Sequence, residues 1–367
     1  MNLHVLSLQG LPGVRDYRMC VAALQCDPTL RYTVLVENPD YYRRFEGLGH
    51  LFAPIHIWRT RSRATWIDKL RYYFLDEIVA GQRLKQLVAE FQVDIVHTQN
   101  LPHLAYYAVK YTNRPVVHDV SDFYSIFPRD QESPPKRSLS IWRWYKHQRE
   151  SWYERYAFEN CEALTFNSPH MLEAARGLYN IRRLTAVIPN AVPEQDIPRH
   201  GLPKLSHIDH NFHLVFVGHI NRLKLERLSW VADRGFHVHL YTYHSASFEP
   251  TLRRKVASCP FLHYHGALPY QELLVQLTQY DYGLVLWYKG AGEQFFQVSL
   301  PGKLFDYLAS GLPVVVGPYR SMVDFVQTKG CGFVLRDINE LEEGLAQQYS
   351  LGDPKQYTME HYIPALL

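Results

Sequence analysis

The chain has 367 residues, a length that exceeds one ordinary hydrophobic core and suits two domains of about 150 to 200 residues each. Hydrophobic residues make up 47% of the sequence and the formal net charge is +3. This composition is that of a globular protein without the overall positive charge of a nucleic-acid binder. The five cysteines are scattered, without a Cys-x-x-Cys pair, which argues against a disulfide framework or a cysteine zinc site and favours a reducing compartment.

The first half of the chain alternates predicted strands with helices. It opens with a strand at residues 3–8, a turn that contains Gly10 and Gly13, and a helix from about 14 to 24. This alternation predicts a parallel sheet with helices on both faces, which binds ligands at the carboxyl ends of its strands. The two glycines lack the spacing of a dinucleotide fingerprint, so NAD binding is not supported. Further strands are predicted at residues 32–37, 52–57, 93–98, 115–119, 163–167 and 186–189.

Two stretches of this half, residues 58–74 and 136–156, are basic and aromatic together. Arginine and lysine attract anionic headgroups, and tryptophan and tyrosine settle at a membrane interface. One interpretation is therefore peripheral attachment to an anionic membrane surface, and the equal alternative is a solvated helix face above an aromatic core. The first residues lack a basic leader and no apolar run reaches about 18 residues, so we expect a cytoplasmic protein, free or at the inner face of the membrane. Without an RNA-recognition motif, no nucleic-acid partner is predicted.

Prolines and polar residues crowd between Pro189 and Asn211 and mark a domain boundary. Strand and helix then alternate again, which predicts a second Rossmann-like half. An acidic amphipathic helix is expected at about 337–349 and a last helix near 355–363. The strands of this half are predicted at residues 213–218, 237–243, 262–265, 282–287, 313–317 and 332–335.

A loop, a helix, a turn and a strand follow one another over residues 296–317. Pro301 and Gly302 suit the first turn of a helix, where a missing N–H group is no loss. Gly311 ends the helix, and residues 312–316 form an apolar run of the kind that a buried parallel strand shows.

Lys303 and Asp306 both lie near the start of this helix. The free N–H groups and the positive dipole end of a helix bind anions, and a lysine beside them suits phosphate. A carboxylate one turn further can accept hydrogen bonds from the two vicinal hydroxyls of a ribose. The pair therefore predicts a nucleoside diphosphate site, and the alternative is a solvated surface pair on one helix face.

The segment resembles the donor-site motif P-x-K-x-x-E-Y-x-A-x-G-x-P-V-V of GT-B glycosyltransferases, as found in family-four-like enzymes and in bacterial exopolysaccharide glucuronosyltransferases. By this resemblance Lys303 binds the donor diphosphate and Asp306 binds the ribose. Many family-four enzymes carry a second glutamate eight residues earlier, where this chain has Val298, and Glu293 lies close enough in sequence to substitute. The matching residues are Pro301, Lys303, Asp306, Tyr307, Ala309, Gly311, Pro313, Val314 and Val315.

Two earlier segments carry the same resemblance. Residues 218–224 are similar to the family's G-x-I/L-x-x-x-K segment, whose basic residues clamp the diphosphate and stabilise the leaving group. Residues 265–273 are similar to its G-x-V/L-P-Y-x-E-L segment, whose backbone contacts the nucleotide base. The first loop is expected to face the donor phosphates or the acceptor through Gly13 and Arg15, with a plain turn and a surface arginine as the alternative. The implied donor-binding residues are Gly13, Gly218, Arg222, Lys224, Gly266, Leu268, Glu293, Ser299, Lys303, Leu304 and Asp306.

Residues 115–124 resemble the segment that carries acceptor contacts and, in inverting members, the catalytic aspartate. An inverting transfer needs a carboxylate that takes the proton of the acceptor hydroxyl. Asp122 is the first candidate and Asp119 the second, with His118 beside them at the end of a predicted strand. The alternative is that one aspartate caps the next helix and that His118 is a satisfied inner histidine.

The resemblance implies an α/β protein of the GT-B fold, with two Rossmann-like doubly wound domains facing a cleft. We expect an acceptor-binding domain over residues 1–195, with a C-terminal helix of about 351–367 packed back on it, and a nucleotide-sugar-binding domain over residues 210–350. The implied enzyme is a hexosyltransferase that moves a sugar from a nucleotide diphosphate sugar to a glycan or lipid-linked acceptor in polysaccharide or glycoconjugate biosynthesis.

No cofactor or metal is expected, because Lys and Arg supply the positive charge and no Asp-x-Asp motif is present. The alternatives are a GT-B epimerase or phosphorylase and, from a different class, a catalytically inactive GT-B scaffold that binds nucleotide sugar or glycan.

Overall fold

The computed structural model describes residues 3–9, 14–36, 56–57, 76–121, 125, 140–242, 244, 246–286 and 293–365. The chain divides into two compact units, the first made of Met1–Pro189 with Tyr362–Leu367 and the second of Asn190–His361. The division falls at the start of the proline-rich segment, where the sequence changes from alternating elements to turn residues.

Each predicted strand overlaps a strand of the structure. The apolar runs are short and are bounded by turn residues, which favours strands over helices. The strands β1 to β13 are, in order, His4–Gln9, Arg31–Val36, His56–Ile57, Ile95–Gln99, Val116–Val120, Ala163–Phe166, Leu184–Val187, His213–Val217, His237–Tyr241, Leu262–Gly266, Tyr282–Val285, Val314–Val316 and Gly332–Val334.

Helices connect most of these strands, as parallel pairing requires. Over the described residues they are α1 Val14–Cys26, α2 Asp76–Glu90, α3 Pro102–Tyr111, α4 Ser140–Asn160, α5 Pro169–Leu178, α6 Ser206–Asp209, α7 Arg222–Ala232, α8 Glu249–Ala257, α9 Tyr270–Leu277, α10 Glu293–Val298, α11 Gly302–Ala309, α12 Arg320–Lys329, α13 Leu341–Leu345 and α14 Met359–Tyr362. None of the helices in the described part is long and apolar enough to cross a membrane.

Each unit is built on one parallel sheet. The first sheet has the strand order β3-β2-β1-β4-β5-β6-β7 and the second has the order β10-β9-β8-β11-β12-β13. In the first sheet, β2 and β3 follow outward on one side of β1, and β4 to β7 follow on the other side. In the second sheet, β9 and β10 follow outward on one side of β8, and β11 to β13 follow on the other side. This is the doubly wound Rossmann order, so the predicted class of two Rossmann-like domains is confirmed.

The core of the second unit lies between its sheet and the flanking helices. Strands β11 and β12 are buried along their whole length, as expected of parallel strands that are covered on both faces. Leu225, Leu228 and Val231 on α7 pack into the same apolar cluster as Leu214 and Phe216 on β8. This packing holds the helix that follows β8 close to the carboxyl end of that strand.

The two last predicted helices differ from the structure. The expected helix at 337–349 is a capped 3-10 turn, Ile338–Glu340, followed by the short α13. At the end of α13, tyrosine hydroxyls satisfy carbonyl groups that lack a helical partner: Tyr349 donates to the Gly344 carbonyl at 2.9 Å and Tyr282 donates to the Leu345 carbonyl at 2.9 Å.

The expected helix near 355–363 is divided into the 3-10 turn Pro354–Tyr357, α14 and the 3-10 turn Ile363–Ala365. The interruption lies at Thr358, which has the extended angles φ −94° and ψ 160° and pairs with Val192 as an isolated parallel bridge. A tertiary pairing, which local sequence does not reveal, thus overrides the helical pattern. Ile363–Ala365 packs on α1 in the first unit.

Candidate functional site

The strand order of the second unit reverses between β8 and β11, and this point locates the candidate site. In open parallel sheets, ligands bind at the carboxyl ends of the strands beside such a reversal. Gly218 directly follows β8, and α11 lies against β11 and β12. The three predicted donor segments, residues 218–224, 265–273 and 296–317, therefore all contribute residues near the carboxyl end of the second sheet.

Lys303, the second residue of α11, reaches the carboxyl end of β8. Its Nζ donates a hydrogen bond to the Val217 carbonyl oxygen at 2.5 Å and lies 4.0 Å from the centroid of the Phe216 ring. Gly218 has φ +111°, and a Cβ atom at this position would lie 3.2 Å from the Lys303 Nζ. Glycine thus allows both the backbone turn and the close approach of the ammonium group. The structure brings together Gly218 and Lys303, which the sequence assigned to one site.

The charge around Lys303 is unbalanced toward positive. Burial and, to a smaller extent, the nearby ammonium group of Lys224 lower the pKa of Lys303, Asp306 opposes both effects, and the net pKa is about 7. Lys224 lies on α7 and donates from Nζ to the His219 carbonyl oxygen at 3.0 Å. Two ammonium groups that repel each other near a helix N-terminus form an arrangement that an anion relieves.

Asp306 lies one turn after Lys303 and is buried. The hydroxyl of Tyr270 donates to its Oδ1 at 3.0 Å. Tyr270 is the first residue of α9, directly after Pro269. The family resemblance assigns base contacts to the backbone of this segment, and the sequence did not reveal this hydrogen bond. The bond orients the Asp306 carboxylate, which is what a ribose-binding role would require.

Tyr307 fixes α11 to the sheet. Its hydroxyl accepts a hydrogen bond from the Val217 N–H group at 2.8 Å, and its ring covers Gly283 on β11. A Cβ atom at position 283 would lie 2.2 Å from that ring, so only glycine fits. The same tyrosine therefore holds the helix that carries Lys303 and the strand end that accepts its hydrogen bond in one rigid arrangement.

Three other predicted donor residues lie on helices or between them. Arg222 begins α7, but it is 82% exposed and its Nε donates to Glu226 Oε1 of the same helix at 3.1 Å. Ser299 is buried between α10 and α11, and its carbonyl oxygen accepts a hydrogen bond from the Ser321 hydroxyl at 2.7 Å. Leu304 is fully buried in the core. Of these three, only Arg222 presents its side chain to solvent.

Gly266 and Leu268 lie at and just beyond the carboxyl end of β10, two strands from the reversal of the sheet. The Gly266 carbonyl oxygen accepts a hydrogen bond from the Thr242 N–H group at 2.9 Å, and Leu268 is half-buried. Both residues lie at the same sheet edge as Gly218, where the family resemblance assigns them contacts with the base.

Glu293 begins α10 and lines a cavity of about 550 Å³. Leu286, Gly317 and Leu335 line the same cavity directly after β11, β12 and β13, and Arg227 adds a positive charge from α7. The lining includes none of the residues around Lys303. Val298 ends the same helix that Glu293 begins, so the two positions lie at opposite ends of α10.

In the first unit, Asp119 at the end of β5 forms a buried ion pair with Arg15. Arg15 Nε donates to Asp119 Oδ2 at 2.6 Å, and a terminal nitrogen of the same guanidinium donates to Oδ1 at 2.6 Å. Thr165 donates to Oδ1 as well, and Arg15 also donates to the Ile188 carbonyl oxygen at 2.7 Å. Arg15 is therefore buried in this ion pair, so the alternative of a surface arginine is wrong, and its approach to the donor phosphates or the acceptor stays a prediction.

The ion pair sets the protonation of Asp119. Burial raises the pKa of this carboxyl group, but the charge and hydrogen bonds of Arg15 and the bond from Thr165 outweigh burial and lower it below the ordinary value. A carboxylate with a low pKa and with both oxygens engaged is a weak proton acceptor. Asp119 is therefore better suited to fixing the start of α1 against the sheet than to removing a proton.

His118 and His97 lie beside Asp119. His118 is buried, Nδ1 is 2.9 Å from the Thr98 hydroxyl, and burial lowers its pKa to about 4. His97, on the neighbouring strand β4, is also buried and has its pKa lowered to about 4, mainly by burial. His118 thus has the environment of an inner histidine. Asp122 and Gly13, the remaining predicted site residues of this unit, lie outside the described residues.

Two family models match the sequence. Residues 14–196 match Glycosyltransferase Family 4, and residues 214–351 match the Glucosyltransferase 3-like, C-terminal domain. With two parallel sheets of Rossmann order, these matches show that the chain belongs to the family-four-like glycosyltransferases of the GT-B fold. The family identified from the motifs is confirmed.

Glucosyltransferase 3 from Streptococcus parasanguinis is 28% identical to this chain over 72 residues, which are 20% of this chain and 22% of that protein. The match therefore spans about a fifth of the length of this curated relative. Among solved structures, sucrose-phosphate synthase from Thermosynechococcus elongatus has a TM-score of 0.64 at 12% identity, covering 99% of this chain and 94% of that one. HepE from Anabaena, in complex with UDP and glucose, has a TM-score of 0.59 at 14% identity with the same coverage. At these identities the similarity to the solved structures establishes the fold.

Proposed function

We propose that this chain transfers a hexosyl group from a nucleoside diphosphate sugar to a glycan or lipid-linked acceptor, in polysaccharide or glycoconjugate biosynthesis. The observation that carries the proposal is the position of Lys303, whose half-buried side chain places its ammonium group at the reversal point of the second sheet, against Gly218 and one turn before Asp306. Family membership and the UDP complex of HepE support a nucleotide-sugar donor.

In this proposal the diphosphate binds at the start of α11. Lys303 and Lys224 neutralise its charge, and the open backbone at Gly218 lets the phosphates approach. The same two cations stabilise the charge that develops on the departing diphosphate, so no metal ion is needed for this step. Asp306, oriented by Tyr270, accepts hydrogen bonds from the ribose hydroxyls.

We assign the base that removes the acceptor proton to Asp122 in preference to Asp119. The Arg15 ion pair and the Thr165 hydrogen bond occupy both oxygens of Asp119. Asp122→Asn should abolish transfer while leaving donor binding unchanged. Asp119→Asn should mainly lower stability, because it weakens a buried ion pair. Transfer that persists in Asp122→Asn would refute this assignment.

Exposed apolar side chains in the first unit support a lipid-linked acceptor at an anionic membrane surface. Ile78 and Val79 on α2 and Trp152 on α4 are exposed, and the Trp152 ring lies 5.0 Å from the ring of Tyr106 on α3. The Tyr106 hydroxyl donates at 2.9 Å to Glu77, the residue before Ile78, so α2 and α4 both contact this tyrosine. Such a surface inserts into the headgroup region when basic residues lie nearby. Co-sedimentation with anionic vesicles should fall in Ile78→Ser/Val79→Ser, and undiminished binding would contradict this step.

A thermal-shift screen with UDP, GDP, ADP and CMP derivatives tests the donor class, because a ligand of the folded state raises the unfolding midpoint. We expect a uridine or guanosine diphosphate to give the largest shift. Donor hydrolysis or transfer by the wild type and by Asp306→Ala then tests catalysis. Loss of turnover in the variant supports the enzyme, and the absence of any nucleotide shift overturns the proposal.

A catalytically inactive scaffold that binds nucleotide sugar is the second candidate, favoured by Val298 at the position of the family glutamate and by the shorter carboxylate of Asp306. This candidate predicts a nucleotide-dependent thermal shift with equal, negligible turnover in the wild type and in Asp306→Ala. The same two assays therefore distinguish it from the proposed transferase.

A further inference from the structure

Five histidines line one side of the second sheet, on three adjacent strands. They are His213 on β8, His237 and His239 on β9, and His263 and His265 on β10. The register pairs His213 with His237 and His239 with His263, so their side chains project from the same face. The imidazoles form two hydrogen-bonded rows, which together we call the histidine ladder.

The longer row begins at Asp209 and runs outward through three rings. Asp209 Oδ2 lies 3.0 Å from His213 Nε2, His213 Nδ1 lies 2.9 Å from His239 Nε2, and His239 Nδ1 lies 2.9 Å from His265 Nε2. In the shorter row, Asp209 Oδ2 lies 3.5 Å from His237 Nε2, and His237 Nδ1 lies 2.8 Å from His263 Nε2. Both rows thus start from the same carboxylate oxygen.

We propose that Asp209, His213 and His237 form a binding site for a divalent transition-metal ion of the zinc type. One donor atom from each residue lies within 4.8 Å of the other two. Among the described residues, this is the one group of three His, Cys, Asp or Glu side chains with its donor atoms this close together. Tetrahedral zinc with bonds of about 2.0 to 2.1 Å places neighbouring ligand atoms roughly 3.3 Å apart. The separations of 3.0 and 3.5 Å from Asp209 Oδ2 to the two Nε2 atoms bracket that value.

The ligand atoms are held in place by their other contacts. The N–H group of Asn211 donates to Asp209 Oδ1 at 3.0 Å and holds a carboxylate whose two oxygens lie 3.1 and 3.0 Å from His213 Nε2. The Nδ1 atoms of both ligand histidines are bonded to the next imidazole of the ladder. Hydrogen-bonded partners of this kind fix the tautomer and the orientation of metal-binding histidines. The Asp209 side chain is 37% exposed, so an ion and a water ligand can reach the site from solvent.

The ladder can satisfy its hydrogen bonds with or without the ion. In the absence of metal, each Nε2–H group donates toward Asp209 along the row. When a cation occupies the Nε2 lone pairs of His213 and His237, the protons reverse direction and each Nδ1–H group donates outward, ending at the exposed His265.

The site would connect the segment that enters the second unit to its sheet. Asp209 ends α6, and His213 and His237 are the first residues of β8 and β9. The site therefore lies at the amino-terminal edge of the sheet, and Gly218 and Lys303 lie at the opposite, carboxyl edge. We infer a structural role, so zinc should raise stability without changing nucleotide affinity.

Competition of the untagged, metal-free protein against a chromophoric chelator tests the site with Zn²⁺ alone. We expect one ion per chain, a higher thermal midpoint with Zn²⁺, and loss of this binding in Asp209→Asn and His237→Gln. His263→Gln removes the partner of His237 Nδ1 and should weaken binding by roughly tenfold to a hundredfold. His200→Gln, which changes an exposed histidine outside the ladder, is the matched control and should bind as the wild type does.

Nitrogen NMR of histidine-labelled wild type provides a second readout that does not depend on the folding of a variant. Zinc should convert the ring of His239 from the Nε2–H to the Nδ1–H tautomer, because the proton direction of its row reverses. Zinc affinity equal in His237→Gln and in the wild type, or an unchanged His239 tautomer at saturating Zn²⁺, would overturn the proposal.

Discussion

Nucleotide binding should weaken as the pH rises above about 7, because the ammonium group of Lys303 then loses its proton. Burial, with the like charge of Lys224, lowers the pKa of Lys303 to about 7 in the free protein. A bound diphosphate supplies the opposite charge and raises that pKa. Affinity is therefore full below the pKa of the free site and is lost as the pH rises from that value toward the pKa of the bound site.

The size of the effect follows from this pKa. One pH unit above it, roughly a tenth of the Lys303 side chains in the free protein carry the proton. Binding at about pH 8 then takes up close to one proton, about 0.9 per nucleotide, if the bound site stays protonated. Each further pH unit costs about tenfold in affinity, or roughly 1.4 kcal/mol, until the pKa of the bound site is reached.

Isothermal titration at about pH 8 in two buffers of different ionisation enthalpy measures this proton uptake directly. A nucleotide sugar is the better ligand, because its phosphates carry no terminal proton that titrates near neutral pH. Lys303→Arg is the matched control: the guanidinium stays charged, so proton uptake should vanish while anion binding persists.

Lys224→Met should raise the pKa of Lys303 and move the loss of affinity to higher pH. Equal binding heats in both buffers for the wild type would refute the reasoning, since they would show that no group at the site changes its protonation on binding.

Three substitutions test the contacts around Lys303 in the second unit and around Asp119 in the first unit. Tyr307→Phe leaves the half-buried Val217 N–H group without an acceptor and should lower the free energy of unfolding by about 1 kcal/mol in urea titrations; an unchanged midpoint would contradict the contact. Arg15→Ala leaves the Asp119 carboxylate buried without its cation and should cost about 3 to 5 kcal/mol, part of which Arg15→Ala/Asp119→Ala restores; additive losses in the double variant would argue against the ion pair. Gly218→Ala adds a methyl group at φ +111°, so we expect a loss of about 1 to 3 kcal/mol in stability and weaker nucleotide binding in the same thermal-shift assay. A wild-type response would show that the backbone turn is not required.

Much of the fold could be predicted because its strands are short, apolar and bounded by turn residues. Residues 312–316 illustrate this: Gly311 and Gly317 flank an apolar run, and β12 lies within it. The start of α11 could also be predicted, because Pro301 stands at the N-cap and Gly302 at the first helical position. These signals are local, so one sequence is enough to read them.

The remaining features depend on contacts between distant parts of the chain. Arg15 and Asp119 are 104 positions apart and meet only because α1 and the end of β5 lie at the same edge of the first sheet. The break at Thr358 needs the strand-like pairing with Val192. The histidine ladder needs the register of three strands, which alternation alone does not specify.

The sequence predicted the proximity of the two candidate-site residues on α11. It did not predict the contacts that α9 and β8 make with them. Lys303 and Asp306 are three positions apart on α11, so helical geometry placed them together. The hydrogen bond from Tyr270 and the contact with Phe216 come from α9 and β8 and required the sheet order. The exposed position of Arg222 likewise depends on how α7 packs, which its basic neighbours in sequence do not reveal.

The central claim is that Lys303 binds the diphosphate of an activated sugar. The most direct test compares the affinities of a nucleoside diphosphate and the corresponding monophosphate for the wild type and for Lys303→Met, with Lys85→Met, which changes an exposed lysine of α2 in the first unit, as the matched control. We predict that the wild type and Lys85→Met prefer the diphosphate and that Lys303→Met loses that preference. An equal preference in all three proteins, or none in the wild type, would contradict the account.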